Sequence, residues 1–69
     1  MTAIIANESG RLKRLTEDYD STPTATWEEN WNGNKWSWCS MTSKPFAEVI
    51  AGFATDGWVV LAEQEEVLA

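Results

Sequence analysis

The pair Asn32–Gly33 constrains the fold of this chain more than any other feature, because it lies between two segments rich in Trp and Thr. Asn-Gly is a preferred two-residue loop of β-hairpins, and Trp and Thr favour strands. With that loop, Trp27 faces Trp38, and the tryptophans of the hairpin share one face: Trp27, Trp31, Trp36 and Trp38. A four-residue loop also keeps them together, whereas a three-residue loop separates them. Residues 24–41 are therefore predicted to form a Trp-rich hairpin.

The same segment also matches a helix start. Thr26 and Glu29 have the spacing of a capping box, and one helical turn could then end at Gly33. The hairpin is the preferred prediction, because residues 35–41 have strand character and their backbone needs a partner.

The first twenty residues allow two structures. A hairpin can turn at Ser9–Gly10, or a helix can form, since four apolar residues have near-helical spacing: Ile5, Leu12, Leu15 and Tyr19. Gly10 disfavours an uninterrupted helix. Strands are therefore predicted, followed by a loop at residues 20–23.

The second half predicts one helix and one strand. Ser43–Pro45 resembles a helix start, and Asp56–Gly57 is a typical stop. Between them lies an apolar stripe: Phe46, Val49, Ile50, Phe53 and Ala54. Residues 58–62 are apolar on both faces, which favours a central strand. The predicted fold is one α+β domain over residues 1–69: a small antiparallel sheet with a Trp-rich hairpin, one helix packed across it, and a final strand.

Packing, or association with a partner, has to stabilise this short chain. Its one cysteine, Cys39, excludes an internal disulfide, and it has no histidine for a structural zinc site. It has five tryptophans, each of which can bury roughly 200 Å². We expect most of them to form the core. Any tryptophan that faces away from the helix would be exposed and free to bind.

The residue types disfavour catalysis. There is no histidine to act as a general base or to activate Cys39, which we expect to be inert. Asp18, Asp20 and Glu29 loosely follow a calcium-binding loop, but Pro23 stands where that loop needs glycine. We therefore expect no enzyme activity, no catalytic residue, no cofactor and no metal.

Charge suggests the kind of partner. The net charge is −6, and residues 45–69 hold five acids and no base. Such a surface favours a basic protein and repels nucleic acid. The candidate partner-binding residues are the acidic Asp56, Glu63, Glu65 and Glu66, with Trp31 and Trp36 beside the hairpin tip.

Two other ligands stay open as alternatives. The basic cluster Arg11, Lys13 and Arg14 could contact phosphate beside aromatic rings, and a surface of Trp, Asn and Glu could hold a sugar. Acidic residues follow the basic cluster at once, so direct nucleic-acid binding is not the preferred prediction.

The sequence predicts no membrane contact. No stretch approaches the ~18 apolar residues of a membrane span, and residues 1–6 lack the features of a signal peptide. A lone cysteine also fits a reducing compartment. We expect a cytoplasmic location, which would be the host cell interior for a phage protein.

The layout of residues 24–66 resembles a class of proteins. The late acidic excess, the Asn32–Gly33 hairpin, and the helix from Phe46 to Asp56 followed by Trp58–Val60 are similar to small acidic phage-encoded inhibitors of host machinery. Anti-CRISPR proteins and RNA polymerase inhibitors are examples, and some imitate nucleic acid with carboxylates. The resemblance implies a non-catalytic protein that docks on a basic, nucleic-acid-binding surface of a larger protein and inhibits it. The alternative is a structural or assembly subunit of a virion or larger complex, and the oligomeric state is left open.

Overall fold

The computed structural model describes residues 1–18 and 24–64, which form one five-stranded antiparallel sheet and one helix. The elements are β1 (Thr2–Ala6), β2 (Leu12–Asp18), β3 (Ala25–Trp31), β4 (Trp36–Thr42), α1 (Phe46–Thr55) and β5 (Val59–Gln64). The strand order is β4-β3-β2-β1-β5, so β4 and β5 are the edges. This architecture confirms the predicted α+β fold. The loop predicted at residues 20–23 lies outside the described residues.

β1 and β2 form the hairpin that was preferred over a helix. The Asn7 carbonyl accepts a hydrogen bond from the Gly10 amide at 3.0 Å, and the Asn7 side chain accepts one from the Arg11 amide at 3.0 Å. Gly10 has a φ of 80°, a conformation that residues with a Cβ rarely adopt. The turn chemistry of Asn and Gly thus separates the two strands.

The β3–β4 hairpin is confirmed, but its loop has four residues instead of two. Trp31 pairs with Trp36, which leaves residues 32–35 as the loop. The Asn32 side-chain oxygen accepts hydrogen bonds from the amides of Asn34 and Lys35, each at 2.9 Å. Because this side chain replaces a backbone acceptor, the longer loop closes without the two-residue turn that Asn-Gly predicted.

A β-bulge in β4 changes which residues share a face. The register shifts between Glu28 and Glu29, which pair with Ser40 and Trp38, so Cys39 is the extra residue. Beyond the bulge, Met41 pairs with Trp27. Uninterrupted strand alternation would place Met41 on the face away from the tryptophans, and the bulge inverts that placement.

The N-cap of α1 lies two residues after the predicted cap, Ser43, and the helix ends as predicted. Pro45 is the N-cap residue and makes no side-chain capping bond, so Ser43 does not cap the helix. At the other end Gly57, with a φ of 90°, donates to Ala54, and Trp58 donates to Phe53. These two bonds form a Schellman motif, and the rings of Phe53 and Trp58 pack edge-on, 5.6 Å apart.

The hydrophobic core lies between α1 and one face of the sheet. Its buried residues are Ala3, Ile5, Leu15 and Phe46, with Met1, Val49, Ile50, Phe53 and Trp58 packed against them. Thr26 is also buried, and its hydroxyl donates to the carbonyl of Lys44 just before the helix. Thr26 therefore connects β3 to the start of α1 and does not cap a helix of its own.

The apolar composition of the final strand predicted a central position in the sheet, and that prediction is wrong. β5 pairs with β1 and forms an edge of the sheet, and all six of its residues are exposed. Its register shifts between the partners of Ile4 and Ile5, which makes Leu61 a bulge residue. An apolar strand therefore lies at an edge that α1 does not cover.

Candidate functional site

The sheet face opposite α1 carries the tryptophans of the β3–β4 hairpin. This tryptophan face consists of Trp27, Trp31, Trp36 and Trp38, with Met41 beside them. The ring centroids of Trp27 and Trp38 are 6.4 Å apart, and those of Trp31 and Trp36 are 5.2 Å apart. Their planes are inclined by 72° and 59°, so the rings form two tilted pairs and not a flat stacking platform for a sugar.

Three of the four hairpin tryptophans are exposed, and Trp36 is half-buried. The exposed fractions are 39% for Trp27, 39% for Trp31 and 62% for Trp38. The expectation that most tryptophans form the core is therefore wrong for the hairpin. Only Trp58 among the five belongs to the residues packed against the buried cluster. The prediction that the four hairpin tryptophans share one face of the sheet is confirmed, but α1 packs on the opposite face.

An ion pair lies in the middle of the tryptophan face. The Nε and Nη2 atoms of Arg14 donate to the two carboxylate oxygens of Glu29, at 2.8 and 2.9 Å. The Arg14 guanidinium carbon also lies 4.9 Å from the ring centroid of Trp36. The hydrogen bonds from Arg14 lower the pKa of Glu29, and the same bonds raise the pKa of Arg14. The two central charges of this face thus cancel.

The predicted acidic residues lie on a different part of the molecule. Asp56 follows the end of α1, Glu63 lies in β5, and both are exposed, as is Glu48 in the first turn of α1. No cation of the described residues forms an ion pair, within 4 Å, with any of these three carboxylates. We call Glu48, Asp56 and Glu63 the acidic side. Glu65 and Glu66 lie outside the described residues.

The predicted binding residues thus form two separate groups. Trp31 and Trp36 are in contact at the hairpin tip, on β3 and β4. Glu63 lies on β5, three strand spacings from β3, which is about 14 Å across the sheet. One flat partner surface therefore cannot be centred on both groups.

The basic cluster predicted as a phosphate contact is divided between the two faces. Lys13 lies on the helix side, where it donates to Glu28 at 2.5 Å and to Asn30 at 2.7 Å. Arg14 is paired on the tryptophan face. Arg11 and Lys13 do line a groove of about 320 Å³ with Trp31 and Trp58. Because Glu28 neutralises Lys13, this groove offers a phosphate little net positive charge.

The described residues form no metal-binding cluster. Residues 1–18 and 24–64 contain no group of three His, Cys, Asp or Glu side chains placed to hold a metal. Cys39 is exposed at the bulge of β4. In the same part of the chain, the one helix, α1, has ten residues, which is too short to cross a membrane.

Known proteins give no precedent. No protein-family model, curated protein or solved structure matches the chain. Function therefore has to be inferred from the two surfaces. Sequence reasoning named Trp31, Trp36, Asp56 and Glu63, but it missed the Arg14–Glu29 pair.

Proposed function

We propose that this chain is a non-catalytic binding protein that docks its acidic side on a basic surface of a larger protein and inhibits it. One observation carries the proposal. Glu48, Asp56 and Glu63 are exposed, and no cation of the described residues pairs with any of them. Their charge is available to a partner.

The distribution of internal ion pairs supports this proposal. Lys13 pairs with Glu28 and Arg14 pairs with Glu29, so two of the five bases are used inside the sheet. The negative excess therefore remains at α1 and β5. Carboxylates so placed attract Arg and Lys side chains and accelerate association with a basic surface. Occupation of such a surface would exclude the nucleic acid or other anion that the partner normally binds.

A second function, that of an assembly subunit, is favoured by the tryptophan face. Soluble monomers rarely leave a contiguous apolar patch larger than a few hundred Å² uncovered. Trp27, Trp31 and Trp38 form such a patch, and it lies away from the acidic side. A subunit that uses this face would assemble with little dependence on salt.

The test begins with capture of a partner. The purified chain is immobilised and exposed to a candidate host lysate at low and at high salt, and the salt-sensitive protein is identified and purified. Its affinity is then measured for the wild type and for the triple variant Glu63→Lys, Glu65→Lys, Glu66→Lys. We expect the triple variant to lose binding and the wild-type affinity to fall as salt rises.

A single-charge control separates a local contact from net charge. Glu63→Lys and Glu8→Lys change the net charge equally. Glu63 pairs with Ala3 near the start of β1, whereas Glu8 lies in the turn that follows the end of β1. We expect about a tenfold loss for Glu63→Lys, which is ~1.4 kcal/mol, and a smaller loss for Glu8→Lys. Unchanged affinity in the triple variant would refute the proposal.

A further inference from the structure

The described chain exposes more large apolar side chains than it buries. Its buried apolar residues are Ala3, Ile5, Leu15, Ala25 and Phe46, whereas the exposed ones are Trp27, Trp31, Trp38, Met41, Val59, Val60 and Leu61. A chain of this size is marginally stable even when its apolar residues are well buried. An additional layer on the open side of the sheet would bury what α1 leaves uncovered.

We propose that the tryptophan face is a homodimer interface, on which a second copy of this chain packs face to face. The proposal goes beyond the acidic docking function, because it concerns the opposite face of the sheet and needs no other protein.

The polar groups of the face are already paired, which favours burial. Arg14 and Glu29 satisfy each other with two hydrogen bonds, and the indole N–H of Trp27 donates to Asp18 at 3.0 Å. Burying an unpaired charge is strongly unfavourable, whereas a bidentate pair can be buried at a much smaller cost. A partner therefore does not need to supply charges of its own to this face.

Charge favours a second copy over a basic protein as the occupant. A basic partner gains nothing from a face whose central charges cancel, and it is attracted instead to Glu48, Asp56 and Glu63. Two copies meeting through their acidic sides would repel each other, but two copies meeting through the tryptophan face keep those carboxylates outside the interface. One cation beside one anion at the centre of the face is compatible with itself across a twofold axis, and the second anion, Asp18, lies at the end of β2, where it accepts from Trp27.

The size of the face is sufficient for a dimer. The five strands have five to seven residues each. At about 4.8 Å between strands and about 3.3 Å per residue, they give a flat area of about 500 Å². Because side chains protrude from the sheet, the accessible area is larger than this flat area and exceeds the ~600 Å² per partner at the lower end of standard interfaces. If each tryptophan offers about 250 Å², then Trp27, Trp31 and Trp38 alone expose about 350 Å².

The edges of the sheet are less suited to pairing with a second copy. Both edge strands carry a bulge, at Cys39 in β4 and at Leu61 in β5, and Glu63 adds a charge to β5. Bulges and charges are the usual devices that block edge-to-edge pairing. Packing face to face is therefore the arrangement that the structure favours.

Sedimentation equilibrium of the purified wild type and three variants tests the proposal. Trp38→Lys and Met41→Lys each place a charge on the tryptophan face, where these residues are 62% and 49% exposed. Val60→Lys is the matched control: it adds the same charge at a 43% exposed residue that pairs with the buried Ile5, on the helix side. Far-UV circular dichroism of each variant confirms that the sheet is intact.

We expect a wild-type dimer whose tryptophan emission shifts to longer wavelength on dilution. Trp38→Lys and Met41→Lys should each raise the dissociation constant about 30-fold or more, as the loss of an interface anchor does, and Val60→Lys should not. A wild type that stays monomeric at all concentrations overturns the proposal, and the face then belongs to another partner. So does a dimer that only Val60→Lys disrupts, since that result places the contact at β5.

Discussion

Replacement of Leu15 by alanine tests where the core lies. Leu15 is fully buried in β2, where it pairs with Ala3 and Glu28 and contributes to the cluster beneath α1. Leu12 belongs to the same strand and is half-buried, but its odd separation from Leu15 places it on the tryptophan face. The two leucines thus compare the two faces of one strand with one chemical change.

The expected magnitudes differ clearly. Leu→Ala at a buried site costs about 3 kcal/mol, through lost burial and the cavity that remains. A core of this size supplies only ~3–5 kcal/mol of net stability, so Leu15→Ala should leave the chain largely unfolded. Leu12→Ala loses part of a side chain that already contacts water, and we expect about 1 kcal/mol or less.

Urea denaturation, followed by tryptophan fluorescence and by circular dichroism, measures both variants. Because dimerisation stabilises the folded state, the titrations are repeated at several protein concentrations and compared at the lowest. Equal losses for Leu12→Ala and Leu15→Ala at that concentration would show that the tryptophan face is as much a core as the helix side. That result would refute the one-sided core and the exposed surface inferred from it.

Two further predictions concern the ion pair and the end of the helix. A double-mutant cycle with Arg14→Gln and Glu29→Gln should give a coupling of about 1 kcal/mol. The pKa of Glu29 is lower in the folded state than in the unfolded state. The stability that the pair contributes is therefore present above the unfolded pKa of about 4.3 and is lost as pH falls through the lower folded pKa. A coupling that persisted in strong acid would contradict this assignment. Gly57→Ala should lose about 1 kcal/mol in thermal unfolding, since its φ of 90° is strained for alanine, whereas Gly52→Ala, with open space around it inside α1, should gain roughly 0.5–1 kcal/mol. Equal effects at the two glycines would argue against the Schellman end.

Local patterns in the sequence predicted the elements well. The alternation around Asn32–Gly33 placed the tryptophans on one face, and Asp56–Gly57 located the end of α1. These features depend on neighbouring residues only. The tryptophan pattern was compatible with a loop of two or of four residues. The four-residue loop forms because the side chain of Asn32 bonds to two amides, an arrangement that the Asn-Gly pair does not disclose.

The position of an element in the sheet was harder to predict. Trp58–Ala62 has apolar residues on both faces, which is typical of a central strand, yet β5 is an edge. The alternation of a strand also does not say which of its two faces the only helix will cover. The tryptophans were therefore expected in the core, although α1 packs on the face of Ile5 and Leu15.

The candidate site was only partly predictable for the same reason. Charge counting identified Asp56 and Glu63 because they belong to a segment without bases. It could not identify the Arg14–Glu29 pair, since that contact depends on the register of β2 against β3, which fixes Arg14 opposite Glu29. Long-range register follows from tertiary packing and not from the composition of either strand.

The two proposed surfaces are compatible because they use opposite sides of one sheet. If two copies join through the tryptophan face, α1 of each copy lies outside, and the dimer presents two acidic sides related by a twofold axis. Each acidic side alone holds few carboxylates, so it would bind a basic surface weakly and with strong dependence on salt. Two linked sides convert the second contact into an intramolecular one and raise the overall affinity for any partner that offers two basic sites at the matching distance. A small core, an exposed aromatic face and unneutralised carboxylates thus fit one proposed arrangement, in which the apolar face would assemble the protein and the acidic side would bind its target.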